Sequence, residues 1–387
     1  MKFSFYMFFL IAFCIYTIGN IYLFVRGWQA LEITGQRRVW FAAAFWMVAL
    51  SFIVTQALRV NGASGVLFDA LLIIGSFWIA ILLYGFLMLL VVDILRIAGW
   101  AANIKPAFIY QNYPASKAIM LGVACLIFIV ILVFGYRNAH HPQVIHLDIP
   151  VGKTAGQLSK LRVVMVSDIH LGHINGRRSL ARIVDAINEQ RPDLVLLTGD
   201  TFDGSPEQVI EKDMGVEFDR LQTKYGAYAV SGNHEYIGER EKRYAVRSAF
   251  DYLAAHGVQP LQDSVVLIDG SFYVAGRKDR IAGTRKAIPE LLHGVNLRLP
   301  VIMLDHQPYR LDMAEQAGVD LHLSGHTHHG QMWPLNYITR KLYEQDWGFL
   351  QKGESKFYVS CGVGTWGPPV RTAGYSEIVV IDVKFKQ

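Results

Sequence analysis

Two residue types that bind metal ions stand two positions apart in the stretch Leu161 to Gly172, LRVVMVSDIHLG. Residues 161–166 form a short apolar run rich in β-branched residues. The run predicts a buried strand, and Asp168 and His170 follow where that strand ends. Because alternate residues of extended backbone lie on one side, the carboxylate and the imidazole can point at the same ion. A turn-capping Asp beside a solvated His would explain this pair equally well, so the pair alone does not decide.

Polar residues also follow four further apolar runs, at 194–198, 227–230, 301–304 and 321–323. The polar clusters after these runs are Gly199 to Asp203, Ser231 to Glu235, Asp305 to His306 and Ser324 to His328. Open α/β sheets gather their ligands at the carboxyl ends of strands, so the five clusters are predicted to meet in one crevice. A Gly precedes Asp200, Asn233 and His326, which fits a tight exit turn with close backbone approach.

The clusters contain seven candidate metal ligands with oxygen or nitrogen donors. They are Asp168, His170, Asp200, Asn233, His306, His326 and His328. This number exceeds what one tetrahedral ion accepts, so the set suits two divalent ions that share a carboxylate. Imidazole together with carboxylate and amide oxygen favours Mn²⁺, Fe or Zn²⁺ over Ca²⁺, and the lack of thiolate in the set argues against a structural zinc site.

The elements that must position these ligands alternate between strands and helices. Besides the five apolar runs, strands are predicted in a hairpin at 265–275 and at 357–360 and 378–383. Helices are predicted at 179–190, within 206–223, and at 239–256, 284–293 and 309–317. The alternation predicts an α/β layered fold in which the late strands form a second sheet.

The first part of the chain has a different composition, with four long apolar stretches at 5–25, 39–58, 66–92 and 118–134. Each approaches or exceeds the roughly 20 residues that a helix needs to cross hydrocarbon. Aromatic residues lie near the ends of these stretches, as interface anchors do, at Trp28, Trp40, Trp100, Tyr110 and Tyr113. We therefore predict an α-helical membrane region of about four spans over 1–135, a polar linker over 136–160 and a soluble domain over 161–387.

The net charge of +5 belongs to the membrane flanks. Before residue 141, nine Lys and Arg stand against three acidic residues, whereas the remaining chain holds 28 bases and 29 acids. This distribution is no nucleic-acid footprint, and no nucleic-acid partner is expected. The loops after the first and third stretches carry six of the nine bases, at positions 26, 37, 38, 96, 105 and 117. By the positive-inside rule we expect an integral protein of the plasma (inner) membrane whose soluble domain is extracytoplasmic.

The five clusters resemble the signature of the calcineurin-like metallophosphoesterases. The matching blocks are Asp168-x-His170, Gly199-Asp200-x-x-Asp203, Gly232-Asn233-His234-Glu235, His306 and Gly325-His326-x-His328. The resemblance covers 161–383 in order, spacing and strand context, and it implies a metallophosphoesterase fold, a β-sheet sandwich flanked by helices. The tail from Gly362 to Arg371, GVGTWGPPVR, further resembles the YkuE and YaeI type of membrane-associated phosphoesterase.

The resemblance also implies a role for each residue of the site. Asp168, His170 and His328 are implied to hold one metal ion, Asn233, His306 and His326 the other, and Asp200 to bridge the two. His234 is implied to be the general acid, with Asp203 and Glu235 steadying it or the neighbouring ligands. His329 stands where many relatives are expected to have Gly, and it is left outside the predicted site.

In such a site, two ions about 3.5 to 4 Å apart bind phosphoryl oxygens and lower the pKa of a bound water. Metal-bound hydroxide can then attack phosphorus, and His234 is expected to protonate the leaving alkoxide. The predicted function is that of a membrane-anchored binuclear-metal phosphoesterase acting on a phosphomonoester or a phosphodiester. Because four spans exceed what tethering needs, the membrane lipid bilayer is an expected partner and a phospholipid or lipid-linked phosphate an expected substrate, with a soluble phosphodiester as the alternative. A membrane scaffold or sensor with a metal-binding but non-catalytic domain is the competing class.

Overall fold

The computed structural model describes residues 2–31, 34–60, 63–104, 106–107, 111–236 and 246–387. The chain divides into two units, residues 1–134 and residues 135–387. Lys105 and Tyr110, which the orientation and anchoring arguments used, lie outside the described residues.

Long helices account for most of the first unit. They are α1 (Lys2–Leu31), α2 (Gln36–Val60), α3 (Val66–Ala101) and α4 (Tyr113–His140). Within the described residues, each contains a segment long and apolar enough to cross a membrane, at 10–30, 36–59, 66–101 and 113–140. Large apolar side chains such as Val39, Leu95 and Val133 are exposed on these helices, as contact with lipid requires. The prediction of four apolar helices is confirmed.

The second unit contains two six-stranded sheets, with strands numbered here in chain order. The first sheet is built from β1 (Gln143–Val151), β2 (Lys160–Val166), β3 (Leu194–Leu197), β4 (Ala227–Ala229), β5 (Val258–Pro260) and β12 (Glu377–Phe385). Its strand order is β1-β12-β2-β3-β4-β5, and β2 to β5 are parallel. The carboxyl ends of β2, β3 and β4 therefore share one edge.

The second sheet is built from β6 (Ser264–Ile268), β7 (Phe272–Gly276), β8 (Val301–Leu304), β9 (Leu321–Ser324), β10 (Gly348–Lys352) and β11 (Ser355–Val359). Its strand order is β10-β11-β9-β8-β7-β6. The four central strands β11, β9, β8 and β7 are parallel, and the edge strands β10 and β6 pair with them antiparallel. The predicted hairpin at 265–275 is confirmed by the β6–β7 pair.

Helices cover the outer faces of the two sheets. In the described part of the second unit they are α5 (Arg177–Glu189), α6 (Glu207–Glu211), α7 (Val246–Ala255), α8 (Ile288–Leu291), α9 (Leu311–Gln316) and α10 (Asn336–Leu342), with 3₁₀ turns at Met214–Arg220 and His328–Gly330. Ile183 of α5 packs with Val164 on the outside of the first sheet, and Leu291 packs with Val301 on the outside of the second. Residues such as Met165 fill the space between the sheets. The layered sandwich flanked by helices is confirmed.

The segment 136–160, which the sequence predicts to be a linker, contains β1. This strand pairs in parallel with β12 along its whole length, from Gln143 opposite Glu377 to Val151 opposite Phe385. β1 lies at the edge of its sheet, where the polar side chains of His146 and Asp148 reach solvent. An edge strand needs few buried apolar residues, which explains why composition alone suggested a linker.

Two predicted helices differ in extent. The segment 206–223 forms the short α6 followed by the 3₁₀ turn at Met214–Arg220 instead of one helix. Of the predicted helix at 239–256, the part from Val246 to Ala255 is helical, and residues 239–245 lie outside the described residues. For the other predicted strands and helices, the predicted and observed boundaries agree to within a few residues.

Candidate metal centre

Every predicted ligand cluster follows a strand, and backbone hydrogen bonds join the clusters. The amide of Asp168 donates to the carbonyl of Gly199 at 3.0 Å, and the amide of His170 donates to that of Asp200 at 3.0 Å. The amide of Gly325 donates to the carbonyl of His306 at 2.9 Å, which ties the two clusters of the second sheet. All these contacts lie at carboxyl ends of parallel strands, where open sheets place their ligand sites.

One group of donors is formed by Asp168, His170 and His328, whose ligand atoms lie within 4.8 Å of one another. The Nε2 atoms of His170 and His328 face each other at 3.0 Å, and Nε2 of His328 lies 3.2 Å from Oδ1 of Asp168. All three residues are buried. Two imidazole nitrogens directed at one carboxylate form a set that can hold a single ion.

A second group is formed by Asp200, His306 and His326, again with ligand atoms within 4.8 Å. Nδ1 of His306 lies 2.8 Å from the carbonyl oxygen of Thr198, which fixes the ring and leaves Nε2 3.1 Å from Oδ2 of Asp200. A backbone partner on one ring nitrogen is the usual way to orient a histidine that ligates through the other. The first predicted set is therefore brought together as a group, and of the second predicted set His306 and His326 are brought together with Asp200.

The loop after β4 approaches the same carboxylate. The amide of His234 donates to Oδ1 of Asp200 at 2.8 Å, and a Cβ on Gly232 would clash with the same carboxylate. Asn233 lies between them, and its buried Oδ1 makes no hydrogen bond. His234 is near His170, with ring centroids 4.5 Å apart, and its Nδ1 lies 3.3 Å from Oδ1 of Asp203.

Two glycines show why the loops need residues without a side chain. A Cβ added to Gly325 would lie 1.8 Å from Oγ of Ser167 and 2.3 Å from Oδ2 of Asp168. A Cβ added to Gly232 would lie 2.0 Å from Oδ1 of Asp200. These clashes confirm the expectation of close backbone approach at the Gly of each block.

Backbone strain is concentrated in the same loops. Five predicted ligands have positive φ although none is Gly: Asp168 (55°), His170 (49°), Asp200 (49°), His326 (73°) and His328 (48°). Non-glycine residues rarely adopt this left-handed conformation, which costs of order 1 kcal/mol or more each. The surrounding structure holds these side chains in place despite the cost, as expected of a functional site.

The charges in the centre are set by opposing effects. Burial disfavours the charged form of Asp168 and Asp200, but the imidazoles of His328 and His306 outweigh it and hold the pKa of both carboxyls below the ordinary value. Burial lowers the pKa of His328 to about 4, so this ring is neutral and offers its lone pair at neutral pH. The carboxylates are thus anionic donors.

His234 shifts in the opposite direction. Burial alone would lower its pKa, but the neighbouring carboxylates of Asp200 and Asp203 raise it to about 9. Glu235 lies below the same loops and accepts hydrogen bonds from the amides of Gly232 at 2.6 Å and Phe202 at 3.0 Å. The ring of His234 is therefore a proton donor at neutral pH, held in a loop that Glu235 braces.

Several supporting residues were not predicted from the sequence. Arg371 is 1% exposed, and its guanidinium donates to the carbonyl oxygens of His328 at 3.1 Å and Gly364 at 2.7 Å. Ser167 donates to Oδ2 of Asp168 at 2.5 Å, and Nδ2 of Asn175 donates to the carbonyl of His170 at 3.3 Å. Arg371 could have been found, because it ends the GVGTWGPPVR tail; the two short polar residues carry no comparable signal.

His329, left outside the predicted site, is buried and turned toward other partners. Its Nδ1 lies 2.8 Å from Oδ2 of Asp346, and its ring lies 4.7 Å from that of Trp347. Its φ of 49° continues the strained turn begun at His328. The side chain thus packs behind the turn rather than joining either donor group.

The donor set fits divalent metal ions on its own geometry. Oδ1 of Asn233 is buried and makes no hydrogen bond, and Nε2 of His306, also buried, faces the carboxylate of Asp200 at 3.1 Å. An orphaned buried polar atom such as Oδ1 of Asn233 is rare in folded proteins, and it needs a partner here. Imidazole, carboxylate and amide donors without thiolate suit Mn²⁺, Fe or Zn²⁺.

A two-sheet sandwich with a buried carboxylate and imidazole centre at its strand ends defines a class of metal-dependent hydrolase folds. Comparison with known proteins identifies the family. The family model for calcineurin-like phosphoesterases matches residues 161–330. The chain belongs to the calcineurin-like metallophosphoesterases, and both this match and the names of its relatives support a metal-dependent hydrolase of phosphoric esters.

Three relatives illustrate the similarity. A "transmembrane protein with metallophosphoesterase domain" of Danio rerio is 32% identical over 278 residues, which are 68% of this chain and 62% of the relative. Uncharacterized metallophosphoesterases of Campylobacter jejuni and Aquifex aeolicus are 28% and 31% identical, covering 72% and 59% of this chain and 73% and 87% of the relatives. The chain thus spans 62% of the length of the Danio rerio relative. The apolar helices and the name of that relative support a membrane protein.

Proposed function

We propose that this chain is a membrane-anchored phosphoesterase that uses two divalent metal ions, Mn²⁺, Fe or Zn²⁺, to hydrolyse a phosphomonoester or a phosphodiester. One observation carries the proposal: two donor triads, buried except for the half-buried His326, lie at adjoining strand ends, each with its ligand atoms within 4.8 Å. A non-catalytic scaffold or sensor would be expected to lack one of these donors, and every donor of the set is present.

In this proposal Asp168, His170 and His328 hold one ion, and the other is held by Asn233, His306 and His326, with Asp200 shared. When bound, the ions supply Lewis-acid polarisation of the phosphoryl group and a water of lowered pKa. Thr198 orients His306 through its carbonyl, and Arg371 holds the backbone of His328. The ligand geometry therefore rests on contacts outside the donor set.

His234 is the proposed general acid, which delivers a proton to the ester oxygen as it leaves phosphorus. The carboxylates of Asp200 and Asp203 raise its pKa, which favours the protonated ring that a general acid needs. Asp203, 3.3 Å from Nδ1, orients the ring, and the side chain is 20% exposed, so a substrate can reach it. A proton donor beside a metal centre is what an alkoxide leaving group needs.

The proposed substrate is a phospholipid or a lipid-linked phosphate, and a soluble phosphodiester is the alternative. Four apolar helices support the lipid because one would be enough to tether the domain. We further propose that the catalytic domain begins with β1 instead of residue 161, because β1 completes the first sheet.

We also propose that the catalytic domain lies on the extracytoplasmic side of the plasma membrane, as the distribution of bases in the loops suggests. A reporter enzyme that works only outside the cytoplasm should then be active when fused after Val383 and inactive when inserted in the loop 103–113. The measurement is reporter activity in intact cells. The reverse pattern would place the catalytic domain in the cytoplasm.

The function is tested by hydrolysis of phosphoesters by the purified full chain with added Mn²⁺, Fe²⁺ or Zn²⁺. The substrates are lipid and soluble esters, each as monoester and diester, and the control is the same protein treated with a chelator. Metal-dependent release of phosphate or alcohol supports the proposal. Metal binding without hydrolysis of any ester would favour the non-catalytic alternative.

A further inference from the structure

A cavity of about 290 Å³ in the second unit is lined by four arginines. We call it the arginine pocket, and its lining residues are Arg277, Arg280, Arg285, Ala287, Ile288, Tyr309, Arg310 and Met313. Most of these arginines come from the segment after β7, and Arg310 precedes α9. None of them belongs to the metal donor set.

Two of the arginines share one buried carboxylate. Arg277 donates to Oδ2 of Asp305 at 2.8 Å, and Arg285 donates to the same oxygen. Asp305 is 1% exposed, and the side chains of both arginines are 13% exposed. Because one carboxylate neutralises only one guanidinium, Arg277, Arg285 and Asp305 together keep an excess positive charge. The Nε atoms of both arginines also make no hydrogen bond.

The other two arginines add further charge. The guanidinium of Arg280 lies 3.6 Å from the ring centroid of Tyr309, and no carboxylate of the described residues lies within ion-pairing distance of it. Arg310 pairs with Asp312 at 3.1 Å on the exposed rim. Four guanidiniums therefore face two carboxylates around one small cavity. The need to pair the buried Asp305 explains the presence of at most two of these arginines. An anionic ligand bound in the cavity explains the presence of all four.

The arginine pocket lies beside the metal centre. Asp305, which its arginines bind, directly precedes the predicted ligand His306. The ring of Tyr309, on the pocket wall, lies 5.1 Å from that of Tyr343, which in turn lies 6.1 Å from the ring of His326. A ligand held at the metal centre can thus extend across two tyrosine rings into the pocket.

We propose that the arginine pocket binds a second phosphate of the same substrate whose ester is cleaved at the metal centre. The inference rests on the proposed function and narrows the substrate class to bisphosphates with a spacer between the two groups. Guanidinium forks match the oxygens of a phosphate in pairs, and a tetrahedral dianion offsets the excess charge of the pocket. The two tyrosine rings, tilted by 58° to each other, provide an apolar surface for the spacer.

The kinetic test compares α,ω-alkanediol bisphosphates of increasing length with the matched alkyl monophosphates. The test variant is Arg280→Gln with Arg310→Gln, which leaves the buried Asp305 with both of its partners. The matched control is Arg247→Gln on α7, whose side chain is 89% exposed. We expect the wild type to favour one bisphosphate length through KM. The double variant should raise KM for that bisphosphate about tenfold, with kcat and the monophosphate unchanged, since it removes charge-assisted hydrogen bonds. An unchanged KM ratio in this series, together with no loss in the vesicle comparison described next, would overturn the inference.

The second phosphate can come from a lipid headgroup or from a soluble molecule. A vesicle arm therefore compares phosphatidylglycerol phosphate with phosphatidate, both in phosphatidylcholine. A loss of the double variant confined to the vesicles assigns the pocket to a lipid headgroup, and a loss confined to the alkanediol series assigns it to soluble bisphosphates. Either result supports a second phosphate site, and a loss in neither arm contradicts it.

A binding measurement separates this inference from the proposed function. Sulfate, which stays a dianion across neutral pH, is titrated calorimetrically into the full chain after removal of metal with a chelator. The double variant should bind sulfate about tenfold more weakly than the wild type and Arg247→Gln. If no ester is hydrolysed, the proposed function fails while this result still supports the anion site. Equal sulfate binding by all three proteins overturns the anion site even if hydrolysis is found.

Discussion

The metal centre and the arginine pocket lie at neighbouring strand ends, yet they are built in opposite ways. In the centre, donors such as Asp200 and His306 are at most 2% exposed and are held by strained backbone and close glycines. In the pocket, Arg280 and Arg310 are exposed side chains on long flexible stems. The centre therefore depends on exact positions, whereas the pocket depends on charge and tolerates small movements.

Two buried histidines on adjacent strands record the same contrast. His306 follows β8, and the carboxylate of Asp200 raises its pKa well above the ordinary value although burial opposes the shift. His322 lies in β9 opposite Met303, and burial lowers its pKa to about 4; the carboxylate of Asp305 opposes this shift, and the charges of Arg277 and Arg285 add to it. A carboxylate thus controls the pKa of His306, whereas burial controls the pKa of His322. A substitution that disrupts the metal centre should therefore leave anion binding in the arginine pocket intact, and a substitution in the pocket should leave metal binding intact.

The largest expected effect comes from Asp200→Asn. If this carboxylate is shared by both ions, the variant should lose metal from both positions and reduce hydrolysis of every substrate to background. Metal content by elemental analysis and hydrolysis rates measure the two losses. Sulfate binding in the arginine pocket should stay the same, because no pocket arginine contacts Asp200.

Asp203→Asn is the matched control, because Asp203 lies beside His234 and outside the two ligand triads. It should keep both ions and lose only about 10- to 100-fold in rate, as expected for a residue that orients another. Retention of two ions by the Asp200 variant would rule out its shared role.

A smaller and substrate-dependent effect is expected from His234→Ala. A general acid matters in proportion to how much the leaving oxygen needs a proton. The variant should therefore lose about 10²- to 10⁴-fold on an alkyl or lipid ester and much less on a nitrophenyl ester, whose phenolate is a good leaving group. Rates on both esters, with metal content checked, provide the measurement.

Asp168→Asn serves as the comparison for His234, because losing a metal donor should slow both esters alike. An equal loss on the two esters for His234→Ala would instead make His234 a residue that positions substrate or metal. The preference for bisphosphates should survive in the His234 variant, since the arginine pocket is intact.

The sequence predicted the parts of the fold that local pattern controls. The runs at 161–166 and 301–304 are apolar and end in abrupt polar clusters, and both are strands. The sequence did not predict β1, because its exposed edge needs few apolar residues. Its pairing with β12 also joins positions more than two hundred residues apart. No local pattern encodes such a contact.

Prediction of the site from local sequence patterns meets the same limit. The candidate ligands could be predicted because each pairs a metal-binding side chain with a strand end, and the structure brings six of the seven together in two groups. Arg371 could have been singled out because it ends the GVGTWGPPVR tail, but the arginine pocket could not be predicted, because arginines on a polar loop look like any solvated surface. Their function depends on which carboxylates and rings lie opposite, and tertiary packing decides that.

The smallest expected effect concerns stability at the boundary between the two regions. His322 has a pKa of about 4 in the folded protein and about 6.5 in an unfolded chain. Above about pH 6.5 the ring is neutral in both states and has no effect. As pH falls from about 6.5 to 4, the unfolded chain binds a proton that the folded protein does not, so the folded state loses up to about 3 kcal/mol.

His322→Phe tests this argument, because it keeps an aromatic ring against Phe357, 5.5 Å away, but cannot bind a proton. The variant loses the contact between Nδ1 and Oγ of Ser324 at 3.3 Å, which lowers stability equally at every pH. The unfolding free energy of the wild type minus that of the variant should therefore be positive at about pH 6.5, where the hydrogen bond contributes about 1 kcal/mol, and should fall and change sign toward about pH 4, because only the wild type has the protonation penalty of up to about 3 kcal/mol. Pulse proteolysis of the full chain in urea, at matched metal content, measures it. A difference that stays constant with pH would mean that His322 has the same pKa in the folded and unfolded states, and that burial does not disfavour its protonation.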